Sequence, residues 1–368
     1  MKHRVLSRIP EGAFRYQGWP TVAKRSDGTF LVGASGHRRN HLCPFGANLM
    51  YQSQNEGETW SLPMLLRDSW LDDRDVGLVC WGEGNVLMSS FTTSPASVEK
   101  WAQKADTRPQ YSVCSPLSAG MREEWKALPD AALPYGSYTM LSRDGGNTWT
   151  APRPAPVSSP HGPCRLSDGR LLYIGSYVSQ GEYEAPVPLS ERIRVYESHN
   201  DGESWEFLSC PPIPDCETKG FYEPHALMMA NGDLLAVVRV ESNTAPSMPN
   251  LRLYTVLSHD LGKTWEEPVL LDLSGAPGHL CQHSSGAVIL TYSCRQDPGG
   301  EYVRISHDFG KTWSKDQLIS PEMTTWDHGY PSTVECENGD LFTVYYAPCP
   351  GDRFASLHSV RWSLEEIE

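Results

Sequence analysis

Histidines stand at three matching places in this chain. His161 in SPHGP, His225 in YEPHAL and His279 in PGHLC each open a stretch that runs to a glycine turn. At the corresponding point near the C-terminus the residues are Asp327, His328 and Tyr330, and Arg239 and Arg295 close the strands between. Imidazole, carboxylate and phenol are the groups of general acid–base chemistry, and arginine holds an anion with a rigid fork of donors. If equivalent positions converge in space, these residues share a pocket fit for proton transfer on an anionic substrate. Each has a plainer reading. A strand-entry histidine can satisfy backbone groups, and Arg239 and Arg295 can pair with Glu223 or Asp327 in a structural network. Asp72, Arg74 and Asp75 of DDRD read equally as a charged strand entry and as groups reaching into the same pocket. No metal is expected at these positions. Neither a GxGxxG nor a Walker pattern is present, so no cofactor is expected.

The elements that must position these groups come in repeats. Five segments fit Ser-x-Asp/Asn-x-Gly-x-Thr/Ser-Trp: SQNEGETW from Ser53, SRDGGNTW from Ser142, SHNDGESW from Ser198, SHDLGKTW from Ser258 and SHDFGKTW from Ser306. In such a box the short Asp or Asn side chain bonds the amides of its own turn, glycine takes a positive φ, and the tryptophan covers the blade edge. The box is structural. His199, His259 and His307 inside it are read as solvent-facing. A second repeat interleaves with the first, a Gly turn followed by a β-rich run: SDGTFLVGAS, GEGNVLMSSF, SDGRLLYIGS, NGDLLAVVRV, SSGAVILTYS and ENGDLFTVYY. Six such hairpins predict an all-β, six-bladed propeller of four-stranded antiparallel blades, the last lacking its box and filled by Trp362. HRVLSRI near the N-terminus is expected to close the last blade. Residues 94–134 break the period and read as two short helices in a loop of blade two. That insertion is either a surface excursion or a wall that selects substrate.

Composition agrees with short strands and tight turns. Among 368 residues there are 31 Gly, 29 Pro, 12 Trp and 16 Tyr. The net charge of −14 argues against nucleic acid or an anionic membrane as a non-specific partner, while leaving room for an anion held by a few local arginines. The N-terminal residues lack an apolar core of signal-peptide length, so a soluble cytoplasmic protein is expected. The ten cysteines form no CxxC pair and are expected as free, mostly buried thiols.

The boxes resemble the BNR/Asp-box repeats of the sialidase (neuraminidase) superfamily, over nearly the whole chain. FYEPHALMMANGDLLAVVRVES is similar to the segment in which a glutamate opens an inner strand and an arginine closes the next, here Glu223 and Arg239. TYSCRQDPGGEYVRISHDFGKTW resembles the segment of a second carboxylate-binding arginine, matched by Arg295 with Arg304 as fallback. DHGYPSTVECENGDLFTVYY resembles the segment of the nucleophilic tyrosine, matched by Tyr330. The resemblance implies that two arginines clamp a sugar carboxylate, Glu223 draws the proton from Tyr330, and the tyrosinate attacks the anomeric carbon. Two positions depart from the family pattern. Its first arginine belongs to an Arg-Ile-Pro motif, but Arg8-Ile9-Pro10 lies too far ahead, and the aligned Gly18-Trp19-Pro20 has no arginine. Arg15, Arg38 or Arg39 are the candidates to replace it. Its acid/base aspartate precedes the first box, where HRRNHLCPFGAN has no carboxylate. His37, His41, or Asp72, Asp73 and Asp75 are the candidates there.

Three functions compete. The family order of Glu223, Arg239, Arg295 and Tyr330 points to an exo-acting glycoside hydrolase that removes a terminal carboxylate-bearing sugar. The histidines and the missing aspartate fit a lyase or another glycosidase acting on uronic-acid or rhamnose glycans. A non-catalytic glycan-binding propeller is the third, and it leaves a Tyr/Glu pair without purpose.

Overall fold

The computed structural model describes residues 1–103, 116–129, 133–177, 187–214, 219–242 and 250–367. Among the described residues, twenty-five strands form six antiparallel sheets. The first strand, β1 (Lys2–Ser7), belongs to the last blade. Blade one is β2 (Tyr16–Lys24), β3 (Phe30–Arg38), β4 (Ala47–Ser53) and β5 (Met64–Arg67). Blade two is β6 (Asp73–Trp81), β7 (Asn85–Thr92), β8 (Gly136–Ser142) and β9 (Arg153–Ala155). In blade three the inner strand is split into β10 (Val157–Ser158) and β11 (Cys164–Arg165), both on β12 (Leu171–Tyr177), followed by β13 (Ile193–Ser198) and β14 (Glu206–Ser209). Blade four is β15 (Lys219–Met228), β16 (Leu234–Ser242), β17 (Asn250–Ser258) and β18 (Val269–Leu270). Blade five is β19 (Gly278–Gln282), β20 (Val288–Cys294), β21 (Gly300–Ser306) and β22 (Gln317–Leu318). Blade six is β23 (Gly329–Glu335), β24 (Leu341–Pro348) and β25 (Ala355–Trp362), completed by β1. Inner strands of successive blades touch around a ring that closes between β2 and β23.

The six Gly-turn segments are the hairpins that join each inner strand to the next. The five boxes share one geometry. The serine hydroxyl donates to the Asp or Asn two residues on at 2.8–3.0 Å and accepts the glycine N–H at 2.8–2.9 Å. The same Asp or Asn accepts the N–H of the Thr or Ser at 2.8–2.9 Å. The box glycine sits at φ 82° to 95°, a region that side chains disfavour. Each box tryptophan packs on an apolar cluster. Blade six has no box, and there Trp362 is 1% exposed with its Nε1 donating to Thr343 Oγ1 at 3.0 Å.

The insertion forms α1 (Pro95–Gln103) and α2 (Pro116–Ala127) between β7 and β8. A small core of Leu71, Val98, Trp125 and Leu133 fixes it to the body. No helix among the described residues is long and apolar enough to cross a membrane. Eight cysteines are free, three of them buried, and Cys114 and Cys216 lie outside the described residues.

Ring closure rests on β1, which pairs with β25 from Lys2↔Arg361 onward. Lys2 and Arg4 also bind Glu58 in the box turn of blade one, the lysine at 2.8 Å. Removing residues 1–7 therefore frees a sheet edge and unties blade six from blade one. We expect a loss of about 5–10 °C in melting temperature and concentration-dependent aggregation, read by calorimetry and light scattering.

Candidate active site

Four inner strands break register at the same place: between Gly18 and Thr21, Arg74 and Gly77, Tyr222 and His225, and Gly329 and Ser332. The residues at these bulges are Trp19, Asp75, Glu223 and Tyr330, with φ between 44° and 57°. Left-handed backbone costs a non-glycine residue of order 1–3 kcal/mol, and such strain collects at functional sites. Three of the four precede a proline (Pro20, Pro224, Pro331), whose missing N–H suits a bulge. Each bulge turns one side chain out of the pleat, and the four meet around the axis.

The Tyr330 hydroxyl donates to Glu223 Oε1 at 2.5 Å. Glu223 Oε2 accepts from Arg239 Nη1, whose other terminal nitrogen binds Glu241, and Arg239 also reaches the Tyr330 hydroxyl at 3.5 Å. Burial, then the neighbouring Glu223 charge, push the Tyr330 pKa well above its usual 10. The phenol is thus protonated at rest, with an acceptor already in place. Its backbone is held too. Tyr330 N–H donates to Ser293 Oγ at 3.0 Å, Ser293 donates to Glu301 at 2.6 Å, and the other Glu301 oxygen meets His328 Nδ1 at 2.9 Å. His328 was expected to face substrate. Its ring is fully buried against Glu301, and what it offers the site is a carbonyl that accepts from Arg295 at 3.1 and 3.2 Å. Arg295 also donates to the Tyr346 hydroxyl at 3.4 Å. Arg304 lies on the outer side of blade five, bound to Asp316 and the Asp272 carbonyl.

Blades one and two supply the other wall. Arg38 and Arg74 both bind the buried Asp72, at 2.5 and 3.3 Å for the closest contacts, and their guanidinium carbons lie 4.7 and 4.1 Å from the Trp19 ring centroid. Gly46 makes room for this pair, since a Cβ there would stand 2.1 Å from Arg38 and 2.2 Å from Asp72. The place of the missing arginine at Gly18 is taken by rings, with Tyr16 at 3.2 Å and Tyr346 at 3.6 Å from a Cβ at that position. Of its suggested replacements Arg38 comes to the site. Arg15 instead pairs with Asp352 at 3.1 Å, and Arg39 is part-buried in the loop that carries His41, its N–H bonded to Cys43.

His41 Nδ1 meets Asp327 Oδ1 at 2.9 Å, the same oxygen that accepts the Tyr16 hydroxyl at 2.9 Å and the Tyr346 hydroxyl at 3.3 Å. The His41 ring lies edge-on to Trp19 at 5.0 Å and tilted against Trp326 at 5.1 Å. Burial lowers the His41 pKa against the pull of Asp327, so the imidazole is neutral near pH 7. Burial raises Asp327, but His41, Tyr16 and Arg295 outweigh it and keep it ionised. Asp75 behaves differently. Burial, with the Glu223 charge nearby and only partial relief from Arg74, pushes its pKa up to about 7. His37 is exposed on the opposite face of β3 from Arg38, and Asp73 is buried against Arg67, Thr92 and Ser69 outside the cluster.

His161, His225 and His279 do converge, as one stack. His225 lies flat on His279 at 4.3 Å, and His161 stands edge-on to both. They sit one step further along the inner strands than the bulge residues. There they bond Thr21 Oγ1, Leu280 N–H and Thr333 N–H at 3.0 to 3.3 Å. Burial drives all three pKa values down, His225 to about 3, so the stack is a neutral plug in the channel. The plainer reading of a strand-entry histidine describes these bonds.

Residues 119–343 match the BNR repeat-like domain family. The chain belongs to it. A search of curated proteins found no match. Among solved structures, this BNR propeller is similar to a protein of unknown function from Dyadobacter fermentans, at 20% identity and TM-score 0.74 over 98% of this chain and 99% of that one. It is similar to the NanB sialidase of Streptococcus pneumoniae, at 12% identity and TM-score 0.68 over 99% and 71%. It is also similar to an α-L-arabinofuranosidase of Fusarium graminearum, at 13% identity and TM-score 0.63 over 98% and 97%. At these identities the likeness is one of fold.

Because folding raises the Asp75 pKa above its usual 3.8, its stabilising contribution is complete below about pH 4 and is lost as pH rises through 7. Asp75→Asn removes the charge that this burial disfavours. We expect the variant to melt higher than wild type at pH 8 and together with it at pH 4, measured by calorimetry at both pH values.

Proposed function

We propose that this BNR propeller is a glycoside hydrolase that removes a terminal, carboxylate-bearing sugar. The Tyr330–Glu223 hydrogen bond at 2.5 Å, with Arg239 on both partners, carries the reading. A binder has no need to aim a phenol at a carboxylate acceptor inside a strained bulge. The sialidase fold likeness supports the same chemistry. Arg295 hydrogen-bonds a carbonyl and a phenol and is the arginine best disposed to receive a substrate carboxylate, with Arg239 beside it.

In this reading the Tyr330 oxygen attacks the anomeric carbon as its proton passes to Glu223. The bond to the leaving oxygen breaks, and Asp75 gives that oxygen its proton. Asp75 is preferred to His41 because at neutral pH an acid near pKa 7 still holds a proton to give, whereas His41 is neutral with one nitrogen committed to Asp327. Water then attacks the tyrosyl sugar, Asp75 takes its proton, and Tyr330 recovers its own from Glu223. His41, held by Asp327, orients the sugar from the Trp19 side.

A second reading rests on Arg239, which two carboxylates already engage. It makes Asp75 and Glu223 the acid and nucleophile of a neutral-sugar glycosidase, with Tyr330 only orienting Glu223. Release of fluorophore from 4-methylumbelliferyl sialoside and uronides by wild type and Tyr330→Phe tests the choice. We expect a loss of at least ~100-fold in the variant and an alkaline limb near pH 7 in wild type. Full activity of Tyr330→Phe, on these substrates or on a neutral 4-methylumbelliferyl arabinoside assayed beside them, replaces the first reading with the second.

A further inference from the structure

Trp326 lies in the connection between β22 and β23. It is 40% exposed, and its ring centroid lies 5.1 Å from that of His41. His41 meets the Trp19 ring edge-on at 5.0 Å, and Trp19 meets the Tyr330 ring edge-on at 6.5 Å. Ring contacts thus run without a break from the exposed indole to the phenol of the reacting pair. Hydrogen bonds make a second link. Arg295 donates to the Tyr346 hydroxyl at 3.4 Å, that hydroxyl donates to Asp327 Oδ1 at 3.3 Å, and the same oxygen meets His41 Nδ1 at 2.9 Å.

Both residues are held in place. Met323 N–H donates to the Gly299 carbonyl at 2.8 Å, and Asp327 N–H donates to Thr325 Oγ1 at 3.1 Å. The Asp327 carboxylate is itself bound by Tyr16, His41 and Tyr346, so the segment that presents Trp326 is pinned on both sides. His41 is held in one tautomer. An ionised carboxylate only accepts, so the Nδ1 that faces Asp327 carries the proton and Nε2 carries the lone pair. Nε2 has no hydrogen-bond partner among the described residues, yet it is not one of the buried orphan atoms, so solvent reaches it.

We infer that Trp326 and His41 form the wall that selects the sugar being removed: the indole covers an apolar C–H face of that sugar, and His41 Nε2 accepts from one of its hydroxyls while its carboxylate lies on Arg295. This wall rests on the hydrolase reading and deepens it, by stating what the sugar carries besides its acid. Aromatic faces with a few fixed polar atoms are the usual lining of a small-ligand site. Arginine alone does not tell an acidic sugar from another anion of its size. A fixed acceptor does, because a ligand without the matching hydroxyl covers Nε2 and leaves it unpaired.

Titration of the wild-type protein with N-acetylneuraminic, galacturonic and glucuronic acids, free sugars with no glycosidic bond to cleave, tests the wall by calorimetry and saturation-transfer NMR. At least one of the three is expected to bind, and neutral L-arabinose to bind about tenfold more weakly or not at all. Trp326→Ala should weaken binding of the acid about tenfold, and Trp326→Phe should restore most of it. His41→Phe should weaken it about tenfold, whereas His41→Gln, whose amide oxygen replaces the Nε2 lone pair, should keep most of it. Melting curves establish that each variant is folded. Binding of none of the acids, arabinose bound as tightly as the best of them, or affinity indifferent to Trp326→Ala or to His41→Phe overturns the wall. Cleavage by Tyr330 is measured separately on the glycosides. An active Tyr330→Phe leaves these affinities as they are, so the two readings fail independently.

Discussion

One hydrogen bond spans the propeller axis, from the Tyr330 hydroxyl on blade six to Glu223 on blade four. Neither residue would reach the other from a regular strand, because both sit at bulges with φ near 50°. The fold must hold that strain. Proline follows each residue, Ser293 grips the Tyr330 backbone, and Glu301 with His328 holds Ser293 from behind in full burial. The site is therefore rigid for reasons that lie in the second layer, and the box turns and tryptophans at the outside serve chiefly to keep six inner strands in register.

Electrostatics divide the site in two. On the blade-four side Glu223 and Glu241 share Arg239, and on the blade-one side Asp72 is shared by Arg38 and Arg74. The first group carries one excess negative charge and the second one excess positive charge, so the two cancel across the ring and let these charges lie close together in burial. Two further groups lie beside these triads. Burial pushes the Asp75 pKa up to about 7, and Arg295, which hydrogen-bonds a carbonyl and a phenol, helps keep Asp327 ionised.

The repeat made the architecture readable before any coordinates. Five boxes and six Gly turns fix six blades, and Trp362 and β1 fall where a boxless, unclosed last blade requires them. Glu223, Arg239, Arg295 and Tyr330 were readable because short motifs surround each of them. What escaped depends on approach between distant segments. Nothing near His41 announces Asp327, which lies 286 residues away. Tyr16 and Tyr346 fill the arginine's place at Gly18, and no local pattern encodes that. The His161, His225 and His279 rings gather into one stack, but one step along the strands past Glu223 and Tyr330, since sequence equivalence fixes the strand and not the depth. Glu241 could have been found: it lies two residues beyond Arg239 and so on the same strand face.

The most direct test is to map the protein by mass spectrometry after quenching during turnover of a slow, fluorine-substituted sialosyl fluoride. The account predicts a single covalent sugar on the Tyr330 hydroxyl. A sugar on Glu223 or Asp75 instead, or steady product release with Tyr330 unmodified at every time point, would contradict it.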